Sequence, residues 1–171
     1  MKNFLLKFWI PVLAFVLAVF VIAIDRITEH TVSLYLLNSE EFLKITPFLN
    51  LVLVENKGVS FGMLQNLPYG KWLLSLLSFV ITGFFFVWLL RVKSLWMACS
   101  LGLIIGGALG NTFERLAYGH VIDILDFHIA GYHWPAFNLT DSAIFLGMCL
   151  LIFKEFFRAP EYQGLSGQNI D

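Results

Sequence analysis

The chain has 171 residues, 58% of them hydrophobic and 16% aromatic, but only 13% charged. A soluble domain carries about 25% charged residues, so the composition excludes an ordinary soluble protein and indicates a membrane protein. The formal net charge is −1, with no basic block or aromatic–basic stripe, which excludes a nucleic-acid partner.

The N-terminus, "MKNFLLKFWIPVLAFVLAVFVIAID", starts with Lys2 and Lys7 and runs apolar from Phe8 to Ile24. It is long for the apolar region of a signal peptide, and "VIAID" is a poor cleavage site, so an uncleaved first membrane helix is expected. Further stretches of membrane-spanning length are Trp72–Leu90, Leu95–Phe113 and Asn138–Phe157. Pro11 falls near the start of the first span, where a missing N–H costs least. In the third, Gly102, Gly106, Gly107 and Gly110 recur at three- and four-residue spacing, which makes a face for close helix packing. Cys99 and Cys149 both lie in apolar runs outside any C-x-x-C pair and read as small packing residues, not a disulfide or metal site.

Arg91 and Lys93 in the loop between spans two and three, Lys2 and Lys7 at the start, and Lys154 and Arg158 at the end place these segments in the cytoplasm by the positive-inside rule. The connections Asp25–Lys71 and Glu114–Phe137 are then exported. "FLNLVLVENKGVSFGML" within the first is aliphatic and β-branched and is followed by turn chemistry at "NKG". The expected fold is an all-α membrane protein of four transmembrane helices, with a small extracytoplasmic β-platform between spans one and two. One membrane domain is expected over residues 1–158, and a flexible cytoplasmic tail over 159–171.

The polar residues of the spans gather at one face. Asp25 ends span one, Asn111, Glu114 and Arg115 end span three, Asp123 and Asp126 follow, and Asn138 and Asp141 open span four. An intramembrane Asp costs roughly 2.5–3.5 kcal/mol on insertion scales, so a cluster at one depth marks a site. Two adjoining carboxylates share a proton: the ionised one activates water and the protonated one hydrogen-bonds the carbonyl under attack. Asp141 would pair with Asp123 or with Asp126; spacing does not choose.

Other chemistries find less support. His30, His120, His128 and His133 form no H-x-x-x-H or H-E-x-x-H pattern on a helix. Ser60, Ser75, Ser78 and Ser142 have no G-x-S-x-G elbow, and Lys57 and Lys71, the lysines nearest the outer face, lie outside the apolar spans. "GLIIGGALGN" has no following Lys-Ser/Thr for a phosphate loop. No metal or cofactor is expected.

Four motifs occur in order: "IDRIT", "ENKGVSFGM", "GGALGNTFERLAYGHVIDILDF" and "WPAFNLTDSAI". On these, over about residues 8 to 158, the chain resembles the lipoprotein signal peptidases (type II signal peptidases), aspartyl proteases of the bacterial inner membrane. The resemblance implies cleavage of a diacylglyceryl-modified prolipoprotein just before its lipidated cysteine. Lipidated prolipoproteins and membrane lipids are then the partners, and cyclic-peptide inhibitors of the family are expected to bind. It implies Asp123 and Asp141 as the catalytic pair, with Asp126 a neighbour. Asp25, Asn56, Gly58, Gly107, Asn111, Arg115 and Asn138 become supporting or substrate-binding residues. Asn56 and Asn138 would hold substrate backbone and orient the pair, Gly107 would admit the substrate helix, and Arg115 would anchor Glu114 or another nearby carboxylate.

The chain departs from the family pattern at Arg26 (usually Gln), Glu29 (usually Lys), Glu114 (usually Asp), Val59-Ser60 (usually two small residues) and Thr140 (usually Ala). Glu29 reverses a charge that Arg26 is placed to restore. Two further readings remain: a non-catalytic lipoprotein-binding relative, supported only by Glu29 and Thr140, and a small proton-relaying transport component. The latter requires a polar path, whereas the inner halves of the spans are apolar.

Overall fold

The computed structural model describes residues 2–36, 41–58 and 67–157. Expectations for Val59, Ser60 and the tail at 159–171 fall outside these residues. Four helices, α1 (Lys2–Leu36), α2 (Gly70–Leu89), α3 (Leu95–Tyr118) and α4 (Leu139–Phe156), accompany four strands, β1 (Leu43–Thr46), β2 (Leu49–Asn56), β3 (Val121–Ile129) and β4 (Tyr132–His133).

Helix α1 departs from expectation. It has 35 residues, about 52 Å at roughly 1.5 Å per residue, well beyond a hydrocarbon core of about 30 Å. It runs through Asp25, which lies inside the helix and does not close it. The continuation "DRITEHTVSLYL" has neither Gly nor Pro to stop it, and Thr28 and Thr31 return their hydroxyls to the Ile24 and Ile27 carbonyls at 2.7 Å each. Pro11 accordingly lies within the helix.

Helix α3 packs against each of the other three helices. Its small residues divide between two partners. A Cβ on Gly102 would lie 2.7 Å from the Ala14 carbonyl oxygen, and one on Gly106 2.6 Å from the Ala18 Cα, so this pair seats α1. Gly107 and Gly110 seat α4, where a Cβ on the first would strike the Thr140 carbonyl oxygen and one on the second would meet its Cγ2 at 2.6 Å. Without a hydrophobic drive between helices in lipid, such backbone proximity supplies the packing. Outward, Phe15, Phe20, Trp72, Leu76 and Phe84 are exposed, as side chains facing acyl chains would be.

Among the described residues, three helices are long and apolar enough to cross a membrane: Trp9–Leu36 in α1, Gly70–Leu89 and Leu95–Tyr118. Helix α4 spans 18 residues and includes Asp141, Lys154 and Glu155. Its C-terminal half lies beside the α2–α3 turn, where Lys154 Nζ bonds Ser94 Oγ and Trp96 Nε1 donates to the Leu150 carbonyl at 2.9 Å.

The sheet also differs from the expected platform. It has four antiparallel strands in the order β1-β2-β3-β4, so it is built from both connections and not only from the segment between the first two spans. The missed strand, "VIDILDFHI", is rich in β-branched and aromatic residues with polar side chains interleaved. Gly119, at φ 88°, ends α3 in the left-handed conformation that glycine adopts without strain and turns the chain into β3. Ala130 and Gly131, at φ 50° and 83°, form the tight turn into β4.

Packing at Gly106 is open to a direct check. Gly106→Ala is expected to lower stability in detergent by about 1–3 kcal/mol. Gly83→Ala, where a Cβ meets nothing within 4 Å, is expected to be neutral or slightly stabilising. Thermal unfolding of the two variants compares them.

Candidate active site

Asp123 and Asp126 occur on the same strand but belong to different surroundings. Three residues apart in β3, they point to opposite faces of the sheet. Strand β2 supplies each with an amide. Asn50 Nδ2 donates to Asp126 Oδ2 at 3.0 Å, and Asn56 Nδ2 donates to Asp123 Oδ2 at 2.9 Å. An even spacing of six would leave both asparagines on one face. A one-residue bulge in β2 between Leu51 and Val54 reverses the alternation and sends them to opposite sides.

On the far face, Asp126 also accepts from His133 Nδ1 at 2.8 and 3.0 Å. His133 stacks on His128 with ring centroids 5.1 Å apart. Burial raises the Asp126 carboxyl, but hydrogen bonds from His133 and Asn50 and the charges of His133 and His128 outweigh it, holding the group below the usual carboxylate range. These residues border a cavity of about 520 Å³. Neither Asn50 nor His133 was identifiable before the β2–β3–β4 register; once it is known, both are cross-strand neighbours of Asp126.

On the near face, Asp123 meets the start of α4. Asn138 is the residue before the helix, and its Oδ1 accepts the Asp141 N–H at 2.8 Å while Asp141 Oδ2 receives the Asn138 N–H at 3.4 Å. This reciprocal pair is a capping box with an acidic residue at the third position. Asn138 Nδ2 then reaches out to Asn111 Oδ1 at 3.1 Å and Asp123 Oδ1 at 3.3 Å. Asn111 Nδ2 donates to Asp141 Oδ1 at 2.7 Å. Two amides therefore join Asp123 to Asp141, and all three segments involved (α3, β3 and α4) are fixed by them.

Burial pushes the Asp123 carboxyl up to about 7. The Asn56 hydrogen bond works against this, the Asp141 and Glu114 charges add to it, and the Arg115 charge opposes it. Arg115 is buried, and its NH2 donates to the Gly58 carbonyl at 3.0 Å. This hydrogen bond goes to the turn after β2. Gly58 also gives its N–H to Asn56 Oδ1 at 3.0 Å, so Asn56 has both ends of its amide engaged within the protein.

The space beside Gly107 holds the Thr140 carbonyl and Ile144 of α4, so this glycine admits the protein's own helix. Thr140 is fully buried, with its hydroxyl 2.6 Å from both Asn111 Oδ1 and Asn138 Oδ1, so the hydroxyl serves the amides.

Asp25 lies on the other side of α4's first turn. Its Oδ1 accepts the Leu139 and Thr140 N–H groups at 3.1 and 3.2 Å, satisfying donors that every helix start leaves unpaired. Arg26 bonds Asp25 Oδ2 at 2.6 Å and Glu114 Oε2 at 2.7 Å, and lies 2.5 Å from Glu29 Oε2. Asp25, Glu29 and Glu114 are the one group of three potential metal-ligating side chains among the described residues, and the Arg26 guanidinium is paired with all three.

The arrangement has counterparts. Residues 17–157 match the signal peptidase (SPase) II family. The chain is 42% identical over 158 residues to the lipoprotein signal peptidase of Aeromonas hydrophila, covering 91% of this chain and 90% of that protein. It is 44% identical over 140 residues to that of Paraburkholderia phymatum, covering 81% and 84%. Its fold is similar to a bacterial membrane enzyme solved by the in meso method at 2.3 Å resolution, with TM-score 0.76 and 24% identity over 91% of this chain and 94% of that one. A second such structure, at 1.9 Å resolution, gives 0.72 and 26% over 85% and 94%. The chain belongs to the signal peptidase II family of aspartic endopeptidases.

Proposed function

We propose that this chain removes signal peptides from diacylglyceryl-modified prolipoproteins, cutting just before the lipidated cysteine with water activated by Asp123 and Asp141. The observation that carries the reading is the pair of amides, Asn111 and Asn138, that ties the buried Asp123 to the half-buried Asp141 from different elements.

The pair works with one proton between its members. One carboxylate takes a proton from water as the oxygen attacks the scissile carbonyl, while the protonated partner donates to the carbonyl oxygen. The tetrahedral intermediate then collapses as the leaving nitrogen receives a proton, and the C–N bond breaks. Asp123, pushed up to about 7, keeps a proton on the pair near neutral pH. No covalent intermediate is required.

The membrane setting follows from the same residues. We place four spans across the bilayer, with α4 the fourth, both termini and the α2–α3 turn cytoplasmic, and the sheet on the outer face of the bacterial inner membrane. A lipid-anchored substrate then presents its cleavage site at the depth of the pair, where water enters from outside. Cyclic-peptide inhibitors of the family would compete for the same space. At the opposite end, the packed core of Ile10, Ala14, Leu89, Ala98, Leu101 and Leu151 is apolar, which disfavours a proton pathway.

Incubation of the purified protein with a lipidated prolipoprotein is expected to shorten it by the mass of the signal peptide. Asp123→Asn and Asp141→Asn are each expected to abolish cleavage while the protein still accumulates in membranes. Asp126→Asn, on the far face, is expected to retain most activity. Full activity of either dyad variant, or an equal loss at Asp126, contradicts the assignment.

The pH profile carries a second test. Activity is expected to fall as pH rises through about 7, where the pair loses its shared proton; the midpoint belongs to the pair. Asn56 donates to Asp123 and favours its ionised form, so Asn56→Ala is expected to move this alkaline limb to higher pH. A limb that stays in place or moves down contradicts the account.

A further inference from the structure

Three carboxylates crowd together behind the site: oxygens of Asp25, Glu29 and Glu114 lie within 4.8 Å of one another. Asp25 and Glu114 are almost fully buried. Among the described residues, Arg26 is the cation paired with any of them. Charges so placed persist only when paired and hydrogen-bonded.

Each buried carboxylate divides its oxygens in the same way. Asp25 gives Oδ2 to Arg26 and Oδ1 to the Leu139 and Thr140 N–H groups. Glu114 gives Oε2 to Arg26 and Oε1 to the Ile122 N–H, at 3.0 Å. The first set of donors immediately precedes Asp141 in the chain, and Ile122 immediately precedes Asp123.

On the proposed function just given, we infer that Arg26 is a positioning residue that sets both aspartates at once, holding Asp25 against the first turn of α4 and Glu114 against the start of β3. The guanidinium suits this role because its planar fork engages several carboxylate oxygens together, which a point charge does less well. Without it, mutual repulsion forces at least one carboxylate to turn or take up a proton, and the backbone beside one aspartate loses its anchor. A displacement of about 1 Å at a reacting group costs on the order of 100-fold in rate.

The test uses the full chain in detergent or lipid with a lipidated prolipoprotein, comparing the parent, Arg26→Gln, and the double variant Arg26→Gln/Glu29→Lys. The double variant moves the cation one helical turn along α1, to a side chain whose end already lies in the cluster. Arg26→Gln is expected to lower kcat about 10- to 100-fold with KM changed less than about threefold, and the double variant is expected to recover most of that loss. A loss of folded protein with unchanged kcat per folded molecule would be a structural role only and overturns the inference. So does a kcat for Arg26→Gln within about twofold of the parent, or a double variant no faster than Arg26→Gln. If Arg26→Gln does not accumulate, the double variant decides: near-parental kcat supports the role, and a tenfold deficit overturns it. Failure of the parent itself to cleave overturns the proposed function, whereas an active parent with an indifferent Arg26→Gln overturns the positioning role alone.

Discussion

One side-chain amide, that of Asn138, joins the helix carrying Asp141 to the strand carrying Asp123. Its oxygen caps α4, and its nitrogen reaches Asp123 and Asn111. Both uses need the start of α4 to lie within a few ångströms of β3 and of the last turns of α3. Gly107 and Gly110 permit that approach, since a methyl group at either would strike Thr140. Small residues in α3 are thus the condition for polar residues in α4 to reach their partners.

Burying this many polar groups beside an apolar bundle is tolerated because they satisfy one another. Asn56, Asn111, Asn138 and Thr140 each find partners within the site, and Asp25 takes up two helix-start N–H groups. Amides suit this network because each offers both donor and acceptor without adding charge. The charged residues divide into two layers. Asp123 and Asp141 face each other through amides, with the Arg115 charge nearby, while Asp25 and Glu114 stand behind them on the Arg26 guanidinium. Among the described residues Asp123 and Asp141 are left without a direct ion pair, which suits the proposed sharing of one proton.

Much of this was legible in the chain itself. The four apolar stretches, the glycine face and the gathering of Asp25, Asn111, Asp123, Asn138 and Asp141 follow from composition and spacing. Strand β3 is hard to read in the chain, because the acids of "VIDILDF" interrupt its apolar pattern and its partner strand lies some seventy residues away. Without that pairing, Asp123 and Asp126 were equivalent by spacing, and only the family resemblance separated them. The β2 bulge supplies the physical distinction: it gives each aspartate its own asparagine on its own face. The end of α1 is hidden for a different reason. Asp25 looks like a helix stop when charge is taken to mark a membrane boundary, whereas its side chain is satisfied by α4 and Arg26, so the helix has no cause to end there.

Asn138 is the side chain that links the two aspartates. The direct measurement is single-turnover cleavage of a lipidated prolipoprotein by Asn138→Ala, on protein shown to be folded in the membrane. With both carboxylates present but no longer joined, the chemical step is expected to slow by on the order of 100-fold. A rate within about twofold of the parent would show that the pair needs no such link, and would contradict the account.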